Sequence, residues 1–254
     1  MDLVYPPAIA LSRLLFAVLG PRIAVVGDHH IPRTGQAILM SNHVSFLDFV
    51  FVGLTARQSR RYVRFLTRYD VWNNPLAGPA MTGMHHIPVD HAAPAGAYLE
   101  ARGALRRGEV VGVFPEAGIS RSFTVRPLMS GPVALARDTG APLLPVAIWG
   151  PQRVSTIGHP VSLRRRRPVS ISVGQPLLVP VELDVRAATA WVAHQLQGQV
   201  ESVQACHPDQ PAAGGKAWWH PQHLGGTAPS AVEAAAVADV PRWAVRPADP
   251  SGLF

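Results

Sequence analysis

The chain has 254 residues, 48% of them apolar, which is enough for the core of one α/β domain or two small ones. Its formal charge at pH 7 is +7, and Lys216 is the only lysine. Arginine therefore supplies nearly all the positive charge, which suits phosphorylated ligands or an anionic membrane surface. We expect no nucleic-acid partner, because the sequence has no nucleic-acid motif. Cys206 is the only cysteine, which excludes an internal disulfide bond and argues against a cysteine-based metal site.

The chain begins with an apolar segment at residues 6–19, interrupted by Arg13. This segment is too short to span a bilayer, which takes about 20 apolar residues. It also lacks the leading positive charge and the small-residue cleavage site of a signal peptide. We expect residues 1–22 to form an amphipathic helix that packs on the domain or lies in the membrane interface.

A polar cluster holding His43 and Asp48 lies between two apolar runs, a predicted buried strand at residues 37–40 and a predicted helix from residue 49. On an uninterrupted helix, side chains five apart would diverge by roughly 140°. The two can therefore meet only if His43 sits on the strand-to-helix turn and Asp48 in the first helical turn. We expect Ser45 to cap this helix and Asp48 to reach back toward the turn. The carboxylate would then hold the imidazole in one tautomer and support its positive charge. The alternative is an ordinary capping box beside a histidine bonded to the backbone.

A second carboxylate, Glu116, follows the apolar run at residues 109–114. This run predicts a buried strand, and ligand crevices of open α/β sheets form at the carboxyl ends of such strands. Periodicity and turn residues predict the remaining elements. Strands are expected at 23–26, 62–66, 141–150 and 169–174, and helices at 71–82 (interrupted by two prolines), 92–108, 132–137 and 181–203.

The helix at 92–108 and two runs of arginines lead to predictions about individual side chains. Tyr98, Leu99 and Leu105 should share one side of the helix at 92–108. Residues 57–68 carry five arginines and residues 164–167 four in a row. The first run could equally be a solvated basic edge or a surface that faces a headgroup or coenzyme A. The second is expected to be a solvated loop, with a membrane-surface contact as the alternative.

Two motifs carry a resemblance to a known family. The stretch NHVSFLD at residues 42–48 resembles the first motif of the glycerolipid acyltransferases, the family of bacterial 1-acyl-sn-glycerol-3-phosphate acyltransferases. The stretch FPEAG at 114–118 is similar to the Phe-Pro-Glu-Gly motif of that family and follows in the same order. With ISRS at 119–122 it is similar to a subset of actinobacterial-type members. The resemblance covers roughly residues 30–180.

The resemblance implies a single α/β domain whose mixed, mostly parallel sheet is flanked by helices. We expect the acyltransferase domain to cover residues 23–206. Residues 207–254 change to a Pro/Gly/Ala-rich composition and are expected to form a loosely ordered tail pinned by Trp218, Trp219 and Trp243.

The implied reaction moves a fatty acyl group from acyl-CoA or acyl carrier protein to the free hydroxyl of lysophosphatidic acid, giving phosphatidic acid. His43 would be the base, oriented by Asp48, and the transfer would be direct, because a thioester is already activated. No metal or cofactor is expected beyond the acyl donor. The adjacent pairs at residues 29–30 and 85–86 are expected to lie on strands with diverging side chains, which argues against a histidine metal site.

The resemblance also implies the residues that bind substrate. His91 stands where the family has an arginine, and the arginine expected at position 119 comes two residues later, at Arg121. Arg121, with Arg126 as second choice, would then bind the substrate phosphate, and Glu116 would position the glycerol end of the acceptor or an arginine that does so. The candidate substrate-binding residues are Asn42, His91, Glu116, Ser120, Arg121 and Arg126.

Other readings remain open at this point. The same chemistry could serve glycerol 3-phosphate, another lysophospholipid or a glycolipid, or the chain could be a non-catalytic lipid-binding protein. If the substrate is a bilayer lipid, the interfacial position of the N-terminal helix is favoured, because the enzyme must reach the bilayer. We therefore expect a peripheral or monotopic protein on the cytoplasmic face of the cell membrane.

Overall fold

Seven strands form one sheet in the order β1-β7-β6-β2-β5-β3-β4 in the computed structural model, which describes residues 3–90, 93–212 and 215–237. The strands are β1 (Arg22–Val26), β2 (Ala37–Ser41), β3 (Val63–Arg68), β4 (Ile87–Val89), β5 (Val110–Val113), β6 (Leu143–Trp149) and β7 (Pro168–Val173). The helices are α1 (Tyr5–Leu19), α2 (Asp48–Thr55), α3 (Ala77–Gly83), α4 (Pro94–Arg106), α5 (Gly131–Thr139), α6 (Val185–Ala205) and α7 (Ala231–Ala236).

The centre of the sheet is built from continuous apolar runs. Every residue of β2, β5 and β6 is buried, as expected of parallel strands covered on both faces. Ile38 of β2 lies opposite Val111 of β5 on one side and Leu143 of β6 on the other, and both pairings are parallel. Among the seven strands of the described residues, only β6 and β7 pair antiparallel. The predicted α/β class with a mixed, mostly parallel sheet is therefore confirmed.

Helices cover both faces of this sheet. On one face α4 packs against α5 and α5 against α6. On the other face α1 lies over α2, where the rings of Phe16 and Phe51 stack with centroids 5.0 Å apart. Two crossovers run in opposite directions, β2-α2-β3 and β4-α4-β5, and right-handed connections then place their helices on opposite faces.

The predicted N-terminal helix is present as α1. Its inner side is anchored by Tyr5, whose hydroxyl donates to the carbonyl of Val63. Its outer side exposes Leu11, Leu14 and Val18, each more than half exposed. One face is thus packed on the domain while the other presents apolar side chains to the surroundings. No helix within the described ranges is long and apolar enough to cross a membrane.

Several local predictions were wrong, and the arginine run at 57–68 is not a fully solvated edge, since Arg64 is buried. Leu99 is exposed on α4, because the buried side of that helix is formed by alanines with Leu105. His29 and His30 lie on a 3-10 turn with ring centroids 4.2 Å apart, so they do not diverge on a strand. His86 precedes β4, is buried, and accepts the backbone N–H of Phe65 through Nδ1 at 3.1 Å.

The described part of the segment predicted as a tail is folded onto the domain. Trp218 stacks on His159 with ring centroids 3.7 Å apart, and the ring of Trp219 lies under the guanidinium of Arg153. His220 is buried beside Trp149. Trp243 lies outside the described residues.

Candidate active site

The turn after β2 brings His43 and Asp48 together, as predicted. Asp48 is fully buried in the first turn of α2. Its Oδ2 accepts hydrogen bonds from Nδ1 of His43 at 2.9 Å and from the backbone N–H groups of Val44 at 2.6 Å and Ser45 at 2.7 Å. One carboxylate oxygen therefore fixes both the backbone of the turn and the imidazole that the turn carries.

The predicted Ser45 cap is only half present. Asp48 accepts the N–H of Ser45, but the hydroxyl of Ser45 does not accept the N–H of Asp48. Instead it donates to the carbonyl of Ser155 at 2.5 Å and accepts the N–H of Leu47 at 3.1 Å. A contact across 110 residues thus takes the hydroxyl that the local motif assigned to the helix start.

The imidazole of His43 is oriented for base chemistry. Its ring stacks on Phe114 with centroids 4.4 Å apart, and its side chain keeps 21% of its surface exposed. Because Nδ1 donates to Asp48, the neutral ring carries its lone pair on Nε2. No group in the described part of the chain bonds to Nε2. That nitrogen is therefore the acceptor available to a substrate hydroxyl.

Burial raises the pKa of Asp48, while hydrogen bonds from His43, Ser45 and Val44 and the charge of His43 act against this rise. The ionised carboxylate is thus favoured by the same donors that hold it in place. A proton taken up by Nε2 of His43 would create an imidazolium directly beside that carboxylate, which stabilises it.

Glu116 is the second buried carboxylate of the site, with no exposed surface. Its Oε1 accepts the N–H of His43 at 2.8 Å and its Oε2 the N–H of Arg126 at 2.9 Å. Burial raises the pKa of Glu116 to about 8, against the two N–H donors and the charge of Arg126, with the charge of Asp48 adding to the rise. Both oxygens are engaged by the backbone, so Glu116 joins the loops after β2 and β5.

Asn42 and Ser120 are also engaged within the protein. Asn42 pairs with Ile148 on β6, donating to its carbonyl at 3.1 Å and accepting its N–H at 2.8 Å. Ser120 donates its backbone N–H to the carbonyl of His43 at 2.7 Å and its hydroxyl to the carbonyl of Thr124 at 2.7 Å. Both side chains are buried, so they brace the main chain on either side of the histidine.

The two candidate phosphate-binding arginines are half-buried on the loop after Glu116. Neither the Arg121 nor the Arg126 guanidinium forms an ion pair or hydrogen bond with another described residue. Arg121 lies against Gly158, where an added Cβ would be 2.8 Å from its Nη1. Burial and the nearby charge of Arg121 lower the pKa of His159. Both cations are thus free for an anionic ligand, whereas His91 lies outside the described residues.

The sequence did not reveal the contribution of the loop after β6. The hydroxyl of Thr156 donates to the carbonyl of Val44 at 2.7 Å, and the carbonyl of Ser155 accepts the N–H of Phe46 at 3.3 Å. This loop therefore holds the turn that carries His43, and nothing in its local sequence predicts that contact. Within the described ranges, no three His, Cys, Asp or Glu side chains are grouped to hold a metal ion.

Comparisons with known proteins identify the family of the chain. Residues 22–149 match the model of a family described as Acyltransferase. The chain is 23% identical over 156 residues to a 1-acyl-sn-glycerol-3-phosphate acyltransferase of Bacillus subtilis, covering 61% of this chain and 73% of that protein. It is 30% identical over 197 residues to one of Limnanthes douglasii, covering 76% of this chain and 64% of the relative.

The fold has a counterpart among solved structures. The crystal structure of the 1-acyl-sn-glycerophosphate acyltransferase of Thermotoga maritima superposes with a TM-score of 0.63 at 21% identity, covering 75% of each chain. At this identity the likeness shows a shared fold.

Proposed function

The chain belongs to the acyltransferase family, and we propose that it acylates the free hydroxyl of lysophosphatidic acid with a fatty acyl thioester to give phosphatidic acid. The observation that carries this proposal is the pairing of Nδ1 of His43 with Oδ2 of Asp48, which leaves Nε2 free as a base. Relatives named 1-acyl-sn-glycerol-3-phosphate acyltransferase support the choice of acceptor.

The proposed reaction is a direct transfer. Nε2 of His43 takes the proton of the acceptor hydroxyl as the hydroxyl oxygen attacks the thioester carbonyl carbon. The tetrahedral intermediate collapses with cleavage of the C–S bond, and the imidazolium returns its proton to the departing thiolate sulfur. Asp48 supports the imidazolium between these steps. The products are the ester and a free thiol.

The substrate phosphate is proposed to bind Arg121, with Arg126 as the second candidate. Both guanidinium groups are free of ion pairs with described residues and follow Glu116 on the same loop. Glu116, Asn42 and Ser120 are proposed to act by positioning the backbone around His43, since their polar atoms are engaged by the protein.

Membrane association is proposed to be peripheral, through the outer side of α1 on the cytoplasmic face. Leu11, Leu14 and Val18 are 68%, 61% and 58% exposed on that side. An apolar helix face of this kind gains free energy when it enters the boundary between headgroups and acyl chains. The acyl acceptor resides in the same layer.

The decisive experiment measures thiol release from palmitoyl-CoA with lysophosphatidate, glycerol 3-phosphate and lysophosphatidylcholine as separate acceptors in lipid vesicles. We expect lysophosphatidate to drive release and His43→Ala to abolish it. His194→Ala, which removes an exposed histidine on α6, serves as the matched control and should keep full activity.

Two results would contradict the proposal. A faster rate with another acceptor would show that the protein is an acyltransferase but that lysophosphatidate is not its preferred acceptor. Lipid binding without release of thiol from any thioester, by protein shown to be folded, would favour a non-catalytic lipid-binding protein.

A further inference from the structure

Six arginines surround one cavity of about 430 Å³ beside the start of β7, and we name this group the arginine cradle. The cradle consists of Arg22, Arg153, Arg164, Arg165, Arg166 and Arg167, and Asp209 is the carboxylate that lines it with them. A concave site with this excess of positive charge raises the local concentration of anions.

The base of the cradle is built by contacts that hold Arg153 in place. Its Nη1 donates to Oδ2 of Asp209 at 2.5 Å, and its guanidinium lies 4.1 Å from the ring centroid of Trp219. Its side chain is only 12% exposed. Because Asp209 is already paired with Arg153, it leaves the charge of the other five arginines largely uncompensated.

The rim of the cradle is free. Among the described residues, none of the Arg22, Arg164, Arg165 and Arg166 side chains takes part in an ion pair or hydrogen bond. Arg167 donates to the hydroxyl of Ser162 at 3.2 Å. Burial and the neighbouring charges of Arg153 and Arg164 lower the pKa of Arg167, with Asp209 acting against this. Positive charges crowded in this way attract an anion strongly.

The backbone shapes the rim. Arg166 adopts a left-handed conformation with φ 61°, which glycine and asparagine adopt more readily. Its N–H donates to the carbonyl of Leu19 at the end of α1, and the N–H of Arg22 donates to the carbonyl of Arg167. These bonds turn the arginine run around the end of α1, so that its side chains line one cavity.

The cradle lies at the edge of the sheet that carries His43. Strand β7 runs antiparallel to β6, so the start of β7 lies beside the end of β6. Strand β6 runs parallel to β2, and β2 ends just before His43. With neighbouring strands about 4.8 Å apart, the two or three steps from β2 to β7 and β1 amount to about 10–15 Å. An extended pantetheine arm spans such a distance.

We propose that the arginine cradle binds the phosphate groups at the nucleotide end of coenzyme A and so holds the acyl donor while its thioester reaches His43. This inference rests on the proposed function. It assigns a site to the donor, whereas Arg121 and Arg126 serve the acceptor. Guanidinium forks recognise phosphates by paired hydrogen bonds, and the 3′-phosphate and diphosphate of coenzyme A offer several at once.

The test compares wild type, Arg164→Gln/Arg165→Gln and the control Arg33→Gln/Arg106→Gln, which removes the same charge from two exposed positions elsewhere. Calorimetry at fixed ionic strength measures binding of coenzyme A and of 3′-dephospho-coenzyme A, neither of which can be turned over. We expect wild type and control to bind coenzyme A about tenfold more tightly than the dephospho form. The cradle variant should lose that preference.

Kinetics give a second readout. The KM for palmitoyl-CoA should rise about tenfold or more in the cradle variant, with kcat and the KM for lysophosphatidate unchanged. Equal coenzyme A affinity in wild type and cradle variant would overturn the proposal. So would loss of binding to phosphatidylglycerol vesicles with coenzyme A binding unchanged, because the occupant would then be a lipid headgroup.

The two proposals can fail separately. If wild type binds coenzyme A through the cradle yet transfers no acyl group to any acceptor, the cradle stands and the proposed function falls. If lysophosphatidate is acylated with the same KM for palmitoyl-CoA in wild type and cradle variant, the proposed function stands and the cradle proposal falls.

Discussion

Oε1 of Glu116 accepts the backbone N–H of His43 at 2.8 Å. Glu116 is buried in the loop after β5, and His43, the proposed base, follows the neighbouring strand β2. The second oxygen of Glu116 holds the N–H of Arg126. One side chain therefore sets the distance between the base and the loop that carries the free arginines.

Glu116→Gln should impair both activity and stability. A carboxyl group has two oxygens that can accept a hydrogen bond, whether it is neutral or ionised, but an amide has one, so the NH2 group of the glutamine must face the N–H of either His43 or Arg126. Leaving a buried donor unsatisfied costs about 1–3 kcal/mol. Misplacing the base by about 1 Å costs on the order of 10²-fold in kcat. Thiol-release kinetics and urea unfolding measure both effects, and an unchanged kcat would show that Glu116 does not position His43.

The same variant should change how stability depends on pH. The pKa of Glu116 is raised to about 8 in the folded protein, above its ordinary value of 4.5. Between these values the native state keeps a proton that the unfolded chain has lost, so stability falls as pH rises through this window. Glutamine cannot titrate. The stability difference between wild type and Glu116→Gln should therefore shrink between pH 5 and pH 8 in urea titrations, and a difference that grows would contradict the raised pKa.

Asp48→Asn should reduce kcat by about 10²- to 10⁴-fold, because an amide no longer fixes the productive tautomer of His43. It should also destabilise the turn, since Oδ2 accepts three hydrogen bonds at once. The matched control is Asp70→Asn, which alters a carboxylate that is 56% exposed. Activity is read by thiol release and folding by thermal unfolding. A folded Asp48→Asn variant with near-normal kcat would remove Asp48 from the mechanism.

Arg121→Ala should raise the KM for lysophosphatidate about 10- to 100-fold, the loss expected for hydrogen bonds to a charged group. The KM for palmitoyl-CoA should stay within error, because the donor is proposed to bind elsewhere. Arg33→Ala, at an exposed position without an ion pair among the described residues, is the control. If Arg126→Ala alone raises the KM for the acceptor, the phosphate site moves to that side chain.

Leu11→Glu/Leu14→Glu should weaken binding to phosphatidylglycerol vesicles about 10²-fold or more, because each leucine withdrawn from water contributes about 1.5 kcal/mol or more. Both side chains are exposed, so the unfolding temperature should change little. Leu99→Glu/Leu178→Glu adds the same charge at exposed positions away from α1 and should bind vesicles like wild type. Vesicle sedimentation gives the measurement, and equal binding by all three proteins would exclude α1 as the membrane contact.

The main strands and helices, and the pairing of His43 with Asp48, could be predicted from the amino-acid sequence alone. The continuous apolar runs at β2, β5 and β6 predict strands that are covered on both faces, because a strand with one face in water would alternate apolar and polar residues. The spacing of His43 and Asp48 predicts a shared turn because only a strand-to-helix junction lets them meet. These are local relations, set by residues within a few positions of one another.

Hydrogen bonds between residues remote in sequence could be read only from the folded chain. Ser45 was expected to cap α2, but the carbonyl of Ser155 takes its hydroxyl. Glu116 was expected to face the acceptor or an arginine, and instead its oxygens hold the N–H groups of His43 and Arg126. The donors and acceptors of these hydrogen bonds meet only in the folded sheet, so no local sequence pattern predicts them.

The arginine cradle is visible only in part from the sequence. The run of four arginines is visible in the sequence, where it predicts a solvated loop. Its partners Arg22 and Arg153 come from the start of β1 and the turn after β6. They join the run because β1 pairs with β7 and because Asp209 and Trp219 hold Arg153 from the far end of the chain. Charge density at one point in space is a property of the fold, since it sums over residues that are remote in sequence.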